Sequence, residues 1–154
     1  MVVDVLCVCR RPPAWVRETC ADYAKRVARS DELRFRFLNP GSDGVDSMVR
    51  RRDEGARIGK AVHAGSHLVA LDERGDALTS MEFATRFGRW RERHDHLTLV
   101  IGGADGFDAQ ILNSAAERWS LSRLTLPHLL VQVVVAEQIF RAASILAGHP
   151  YHRP

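Results

Sequence analysis

The stretch Leu97-Thr98-Leu99-Val100-Ile101-Gly102-Gly103-Ala104-Asp105-Gly106 decides the fold class of this chain. It begins with an apolar run of the kind found in strands that are buried on both faces of a parallel sheet. A glycine-rich turn follows, in which the backbone can approach a ligand closely and adopt positive φ. Open parallel sheets bind ligands beyond the carboxyl ends of their strands, so the stretch predicts where a site would lie. A structural turn without a ligand would suit the same glycines.

Apolar runs and amphipathic segments alternate on either side of this stretch. The predicted strands cover residues 2–8, 33–38, 67–71 and 97–101, and the polar residues 72–76 end the third of them. The predicted helices cover residues 13–29, 46–64, a segment capped by Thr79 or Ser80, residues 108–117 and residues 127–147. This alternation predicts an α/β fold, with a mainly parallel sheet flanked by helices. Because no linker or repeat interrupts it, we expect a single domain over residues 1–154.

The basic residues permit a phosphate-rich partner without demonstrating one. The chain of 154 residues has a net charge of +3, and arginine accounts for all but two of its 22 basic residues. Arginine binds phosphate through paired hydrogen bonds, which is compatible with nucleic-acid binding. The consecutive residues Arg50, Arg51 and Arg52 are explained more simply by a solvated helix face.

The sequence also bears on the cellular compartment. No secretory signal is visible at the N-terminus, and the longest apolar stretch, residues 124–136, is predicted to be too short and too polar to span a bilayer. Cys7 and Cys9 lie two apart in a predicted strand, where a disulfide between them is geometrically poor. We therefore predict buried free thiols in a cytoplasmic protein without a membrane segment.

The last predicted helix has apolar residues on more than one face. These residues are Leu129, Leu130, Val131, Val133, Val134, Val135, Ile139, Phe140, Ile145 and Leu146. A helix that is apolar nearly all round must be buried nearly all round, and one small domain covers only part of it. We therefore predict a homodimer that forms through the C-terminal helix.

Two further segments could carry chemistry, each with a simpler structural explanation. Residues 121–128 form a loop that enters the last helix at Pro127, which needs no ligand. The terminal residues 149–153 contain two histidines and an arginine, but no cysteine or carboxylate cluster accompanies them, so we predict no metal site. Within the last helix, Glu137 and Arg141 are spaced to form an ion pair across one turn, or else to face a cofactor pocket.

Taken together and in order, these segments closely resemble one family. The matching residues are Leu71-Asp72 with a glycine shortly after, Ile101 to Gly106, Leu121-Ser122 to Thr125-Leu126-Pro127-His128, and His149-Pro150-Tyr151-His152-Arg153. The family is that of the bacterial 23S ribosomal RNA pseudouridine N3-methyltransferases, the small members of the SPOUT superfamily. The resemblance covers essentially the whole chain and is strongest from Val69 onward. It implies a C-terminal deep trefoil knot that binds S-adenosyl-L-methionine at the interface of an obligate homodimer, with 23S rRNA in the assembled ribosome as the substrate.

The resemblance also implies which residues form the site. The cofactor would be bound by Leu71, Gly102, Gly103, Gly106, Ser122, Arg123, Leu124, Thr125, Leu126 and Pro127. The candidate catalytic residues are His152 and Arg153, followed by Glu137, Arg141 and Tyr151, on a tail that closes over the partner subunit's site. A pseudouridine N3–H must lose its proton, so a base or a cation that stabilises the anion is expected there.

The chain departs from the family at its N-terminus, and other functions remain open. Cys9-Arg10-Arg11-Pro12-Pro13 stands where the family commonly has a glycine-lysine turn, which affects RNA contact more than the cofactor site. One alternative is a knotted methyltransferase with a different RNA target, and another is a catalytically silent RNA-binding dimer. A nucleotide- or NAD-binding enzyme fits less well, because the glycine spacing is not that of the dinucleotide fingerprint.

Overall fold

The computed structural model describes residues 1–152, with the side chains of residues 1–151. The strands are β1 (Val2–Val8), β2 (Glu32–Leu38), β3 (His67–Ala77), β4 (His96–Ile101) and β5 (Glu117–Ser120). The helices are α1 (Ala14–Val27), α2 (Ser47–Ala61), α3 (Ser80–Arg93), α4 (Ala109–Ser114) and α5 (His128–Leu146), followed by a short 3-10 helix, Pro150–His152.

The strands form one parallel sheet in the order β2-β1-β4-β3-β5. The apolar run at 97–101 is the central strand β4, which pairs with β1 on one side and β3 on the other. Its side chains alternate between two cores: Leu97 and Leu99 join the larger core, and Val100 joins the smaller one. The predicted α/β fold with a parallel sheet is confirmed.

Helices cover both faces of the sheet. The larger core contains buried side chains of α3 and α5, such as Phe87 and Ile139, and α5 also packs along α1. The smaller core contains Ile58 of α2 and Ile111 of α4. This arrangement leaves the carboxyl ends of β3, β4 and β5 at one edge, which is where the site lies.

Two predicted boundaries are wrong. The third strand does not end at Leu71 but continues to Ala77, with a register shift between Leu71 and Asp76 in its pairing with β5. Gly75 makes this possible, since a Cβ there would lie 2.6 Å from the backbone of Arg118 and Trp119. The helix predicted over 108–117 is only the six residues of α4, and its predicted end belongs to β5.

The last helix is only partly buried by its own chain. Its buried residues lie along one side and include Val135, Ala136 and Ile139, whereas Leu130 is 44% exposed and Leu146 is 41% exposed. Trp15 of the neighbouring helix α1 is also exposed. A second subunit placed against α1 and α5 would cover these apolar side chains, so the predicted homodimer stays a prediction with a defined surface.

By length and composition alone, α5 could cross a membrane, since it has 19 residues with a mean hydropathy of 1.6. This differs from the expectation drawn from residues 124–136, because the apolar pattern continues to Leu146. The helix packs against both α1 and α3 and carries the ion pair between Glu137 and Arg141. These contacts are those of a helix in the core layer of a domain.

Candidate functional site: a cleft at the carboxyl edge of the sheet

An open cleft of about 1010 Å³ lies at the carboxyl ends of β3, β4 and β5. Its floor includes Leu71, Ile101 and Trp119, the last of which is buried. The glycine turn 102–106 and the loop 121–126 form two of its walls. Its volume is at the upper end of the range of small-molecule sites, about 300–1000 Å³. The edge predicted from the parallel sheet is therefore the edge at which this cleft forms.

The glycine turn folds back on itself. The amide of Gly106 donates a hydrogen bond to the carbonyl oxygen of Gly103 at 3.1 Å, and Gly106 has a φ of 78°. That φ lies in the left-handed region, which glycine adopts without a steric penalty. The turn therefore exposes its backbone to the cleft in a conformation that a larger residue at Gly106 would strain.

A buried carboxylate lies directly beneath the turn. Glu54 of α2 is only 2% exposed, and its Oε1 accepts a hydrogen bond from the amide of Gly41 at 2.9 Å. A Cβ at Gly103 would lie 2.6 Å from Oε2 of Glu54. Among the described residues, Oε2 itself has no hydrogen-bond partner. Any side chain at Gly103 would therefore collide with this carboxylate.

The loop 121–126, the other wall of the cleft, is stabilised by hydrogen bonds within residues 120–124. Oγ of Ser122 accepts a hydrogen bond from the amide of Leu124 at 2.9 Å, and Oγ of Ser120 donates to the carbonyl oxygen of Ser122 at 3.1 Å. Leu124 is 75% exposed, so an apolar side chain stands free at the mouth of the cleft. A planar ring inserted between Leu124 and the floor would remove that surface from water.

Arginines of α2 border the cleft on its outer side. Arg50 forms an ion pair with Asp105 of the glycine turn at 3.0 Å, and Arg51 donates to the carbonyl oxygen of Asp105 at 3.5 Å. Arg51 and Arg52 line the cleft together with Met48. From sequence, a solvated helix face is the simpler explanation of this run, and the family resemblance implies only a generally basic, RNA-facing role for residues 43–64. Only the run of charge could have indicated that Arg51 and Arg52 line the cleft.

Most of the predicted cofactor residues come together in the cleft. The lining includes Leu71, Gly102, Gly103, Gly106, Ser122, Leu124, Thr125 and Leu126. Arg123 and Pro127 belong to the same loop but do not line it. Pro127 is instead the N-cap residue of α5. The apolar side chains of Leu71, Leu124 and Leu126 suit a cofactor that carries an adenosyl group.

Three of the candidate catalytic residues form a separate cluster, where the 3-10 helix packs against α5. Glu137 accepts a hydrogen bond from Nε of Arg141 at 2.9 Å and one from the hydroxyl of Tyr151 at 3.4 Å. The ring of Tyr151 packs edge-on against Phe140, with centroids 4.6 Å apart. Burial and a hydrogen bond with Tyr151 raise the pKa of the neighbouring Tyr23. The predicted ion pair of Glu137 and Arg141 is thus present, and neither residue lines the cleft of its own chain.

This cluster fixes the start of the tail. Residues 150–152 form a 3-10 helix that packs against α5. The side chain of His152 and the whole of Arg153 lie outside the described residues. The structure therefore brings Glu137, Arg141 and Tyr151 together, and the roles assigned to His152 and Arg153 stay predictions.

A second, smaller pocket of about 290 Å³ lies at the opposite edge of the sheet and is called here the basic pocket. It is lined by His67, Arg86, Arg89, Trp90, Arg93, His94 and Glu117. Glu117 accepts hydrogen bonds from His67, Trp90 and Arg86 at 2.9, 2.7 and 2.9 Å. Burial alone would raise the pKa of Glu117, but these three donors outweigh it and lower that pKa below its ordinary value.

The lowered pKa of Glu117 predicts a pH-dependent contribution to stability. A glutamate whose pKa is lower in the folded than in the unfolded protein stabilises the fold when the pH is above the unfolded pKa, 4.5. That contribution is lost as the pH falls through the folded pKa. We expect Glu117→Gln to lower the free energy of unfolding at pH 7 by about 2 kcal/mol. Urea denaturation between pH 7 and pH 3 measures the free energy of unfolding of both proteins. The difference in this free energy between wild type and variant should become smaller below pH 4.5. A difference in the free energy of unfolding that stays constant over that range would contradict a lowered pKa of Glu117.

In residues 1–151, no group of three or more His, Cys, Asp or Glu side chains could hold a metal ion. The three cysteines are all buried and free, as predicted.

Comparisons with known proteins agree with this geometry. A family model described as "Predicted SPOUT methyltransferase" matches residues 1–152. A protein of Neisseria gonorrhoeae named ribosomal RNA large subunit methyltransferase H is 43% identical over 155 residues, covering 99% of each chain. A protein of the same name from Xanthomonas oryzae pv. oryzae is 43% identical over 145 residues, covering 93% of each chain.

Proposed function

Because this chain belongs to the SPOUT methyltransferase family, we propose that it transfers the methyl group of S-adenosyl-L-methionine to ribosomal RNA of the large subunit. The relatives' name states a large-subunit ribosomal RNA methyltransferase. The observation that carries the proposal is the single cleft that joins the glycine turn to the loop 121–126. We further propose N3 of a pseudouridine in 23S rRNA as the acceptor, and the assembled ribosome in the cytoplasm as the substrate.

The cleft residues would bind the adenosyl group and leave the methyl group accessible. Leu71, Leu124 and Leu126 would enclose the adenine, while backbone groups of the loop 122–127 would contact its polar edge. The missing side chain at Gly103 would let the turn pack on Glu54 and so stay clear of the cofactor. The bound cofactor supplies a methyl group already activated by its sulfonium, so the protein contributes mainly by positioning.

The acceptor nitrogen must lose its proton as it takes up the methyl group. His152 and Arg153 would act here, as a base and as a cation that stabilises the anion. Glu137 is engaged by Arg141, Tyr151 and Gln138, so its carboxylate suits holding the tail better than removing a proton. We therefore assign Glu137, Arg141 and Tyr151 to positioning of the tail.

The tail of one subunit would complete the cleft of the other. Glu137 and Arg141 lie on α5, whose exposed apolar residues favour a dimer, and Tyr151 lies on the 3-10 helix that packs against α5. None of the three lines the cleft of its own chain. A homodimer through α5 would bring the tail to the partner's cleft. Family membership also supports a C-terminal trefoil knot around the cofactor site.

Calorimetry with S-adenosyl-L-methionine and with NAD tests the cofactor, and methyl transfer to purified ribosomes tests the substrate. We expect binding of the first compound only, and incorporation of one methyl group into large-subunit RNA. If neither binding nor transfer occurs, even with ribosomes present, the silent RNA-binding dimer replaces the enzyme. Mapping the modified nucleotide by mass spectrometry decides between the pseudouridine and another RNA target.

Mixed dimers test whether the tail acts on the partner's cleft. One subunit carries Gly103→Val, which blocks its cleft, and the other carries His152→Ala with Arg153→Ala, which disables its tail. If the tail acts on the partner, the mixed dimer keeps one intact site and about half the wild-type rate. If the tail acts on its own chain, both sites are defective and the mixed dimer is inactive.

A further inference from the structure

We propose that the basic pocket is a docking site for a backbone phosphate of the RNA substrate, separate from the site of methyl transfer. This inference rests on the proposed function, because it assumes an RNA substrate large enough to reach both places. His67 begins β3, whereas Leu71 on the same strand lines the cleft. Four residues of strand separate these positions by about 13 Å.

The arginines of the basic pocket share one face of α3. Arg86, Arg89 and Arg93 are spaced by three and four residues, so they are neighbours on the helix surface. Like charges at this spacing destabilise an isolated helix by about 0.2–0.5 kcal/mol for each pair. A bound anion would relieve this repulsion.

The acidic groups near the pocket neutralise only one of these arginines. Arg86 forms ion pairs with Asp76 and Glu117, both at 2.9 Å. Within residues 1–151, neither Arg89 nor Arg93 forms an ion pair, and both are exposed. Glu117, the one acid that lines the pocket, directs its oxygens to His67, Trp90 and Arg86. Two guanidinium groups therefore remain available to an anion from solution.

The pocket is rigid enough to present these groups to a ligand. Trp90 is buried and donates its indole N–H to Glu117. The rings of His67 and His94 stack with centroids 4.6 Å apart. Arginine binds phosphate oxygens through paired N–H groups in one plane, so a phosphodiester at the mouth of the pocket is the ligand that this arrangement suits best.

The double variant Arg89→Ala/Arg93→Ala tests the proposal in a methyl-transfer assay with purified ribosomes. We expect the KM for ribosomes to rise about tenfold. The slope of log KM against the logarithm of the salt concentration should become smaller by about one to two, because each phosphate contact releases counterions when it forms. The kcat and the calorimetric affinity for S-adenosyl-L-methionine should not change. Both arginines are exposed, so the variant should fold, which thermal unfolding checks.

The matched control is Lys25→Ala/Arg29→Ala. These residues are also a basic pair four apart, exposed and without an ion pair within residues 1–151. The control should leave the KM and the salt slope at wild-type values. An unchanged KM in the pocket variant would overturn the proposal, as would a raised KM with an unchanged salt slope, which would indicate contact with a ribosomal protein. If the wild type itself fails to methylate ribosomes, the proposed function fails instead.

Discussion

Gly103→Val should raise the dissociation constant for S-adenosyl-L-methionine about 10- to 100-fold, because overpacking of this kind costs about 1–3 kcal/mol. A Cβ at Gly103 would lie 2.6 Å from Oε2 and 3.0 Å from Oε1 of Glu54. The carboxylate cannot simply swing aside, since it is buried and bound to the amide of Gly41. The turn would have to move into the cleft instead. Calorimetry on the folded dimer measures the effect.

Gly59→Val is the matched control for this substitution. Gly59 lies in α2, and a Cβ there would meet no atom within 4 Å. Valine and glycine differ by only about half a kcal/mol in helix propensity, so both stability and cofactor affinity should stay close to wild type. Equal affinities in the two variants would refute the close packing of Gly103 on Glu54 as the reason for glycine at this position.

Tyr151→Ala should lower kcat for methyl transfer about 100-fold while leaving the affinity for S-adenosyl-L-methionine unchanged, because a misplaced tail loses the positioning of the reacting groups. The variant removes the ring that packs on Phe140 and the hydroxyl that donates to Glu137. Single-turnover kinetics with saturating cofactor and with enzyme in excess over ribosomes measure the rate of transfer.

Tyr151→Phe separates the two contributions of this side chain. It keeps the ring against Phe140 and removes the hydroxyl, with its 3.4 Å hydrogen bond to Glu137 and its hydrogen bond with Tyr23. Each such bond contributes about 0.5–1.5 kcal/mol to stability, and the ring still holds the tail, so the rate should fall by no more than about tenfold. A full rate in Tyr151→Ala would show that the cluster on α5 has no role in placing the tail.

The parallel α/β fold could be predicted because the strands have a simple signature. The apolar run of β4 and the alternation of strands and helices were sufficient for the fold class and for the edge at which the cleft forms. The strand β5 was missed because it has four residues, two of them charged, and pairs with β3 on both sides of a register shift. That pairing depends on the close backbone approach at Gly75, which no local pattern reveals.

The candidate site also has parts that the sequence predicts and parts that it does not. The glycine turn and the loop 121–126 can each be recognised in the sequence. The prediction that they bind a cofactor came from the resemblance of these segments, in their order along the chain, to a known family. The packing of Glu54 beneath Gly103 carries no such signal, because the two residues are far apart in sequence and meet only through the fold. The same holds for the ion pair that joins Arg50 to Asp105.

Helix α2 contacts the glycine turn at two residues, through Arg50 and Arg51 on Asp105 and through Glu54 against Gly103. The same helix contributes Arg51 and Arg52 to the lining of the cleft. A shift of α2 on RNA binding would therefore alter the turn that we propose as part of the cofactor site. Linkage is reciprocal, so whatever factor RNA applies to the cofactor affinity, the cofactor must apply to the RNA affinity. We therefore expect the affinity for RNA to differ between the free protein and its complex with S-adenosyl-L-methionine.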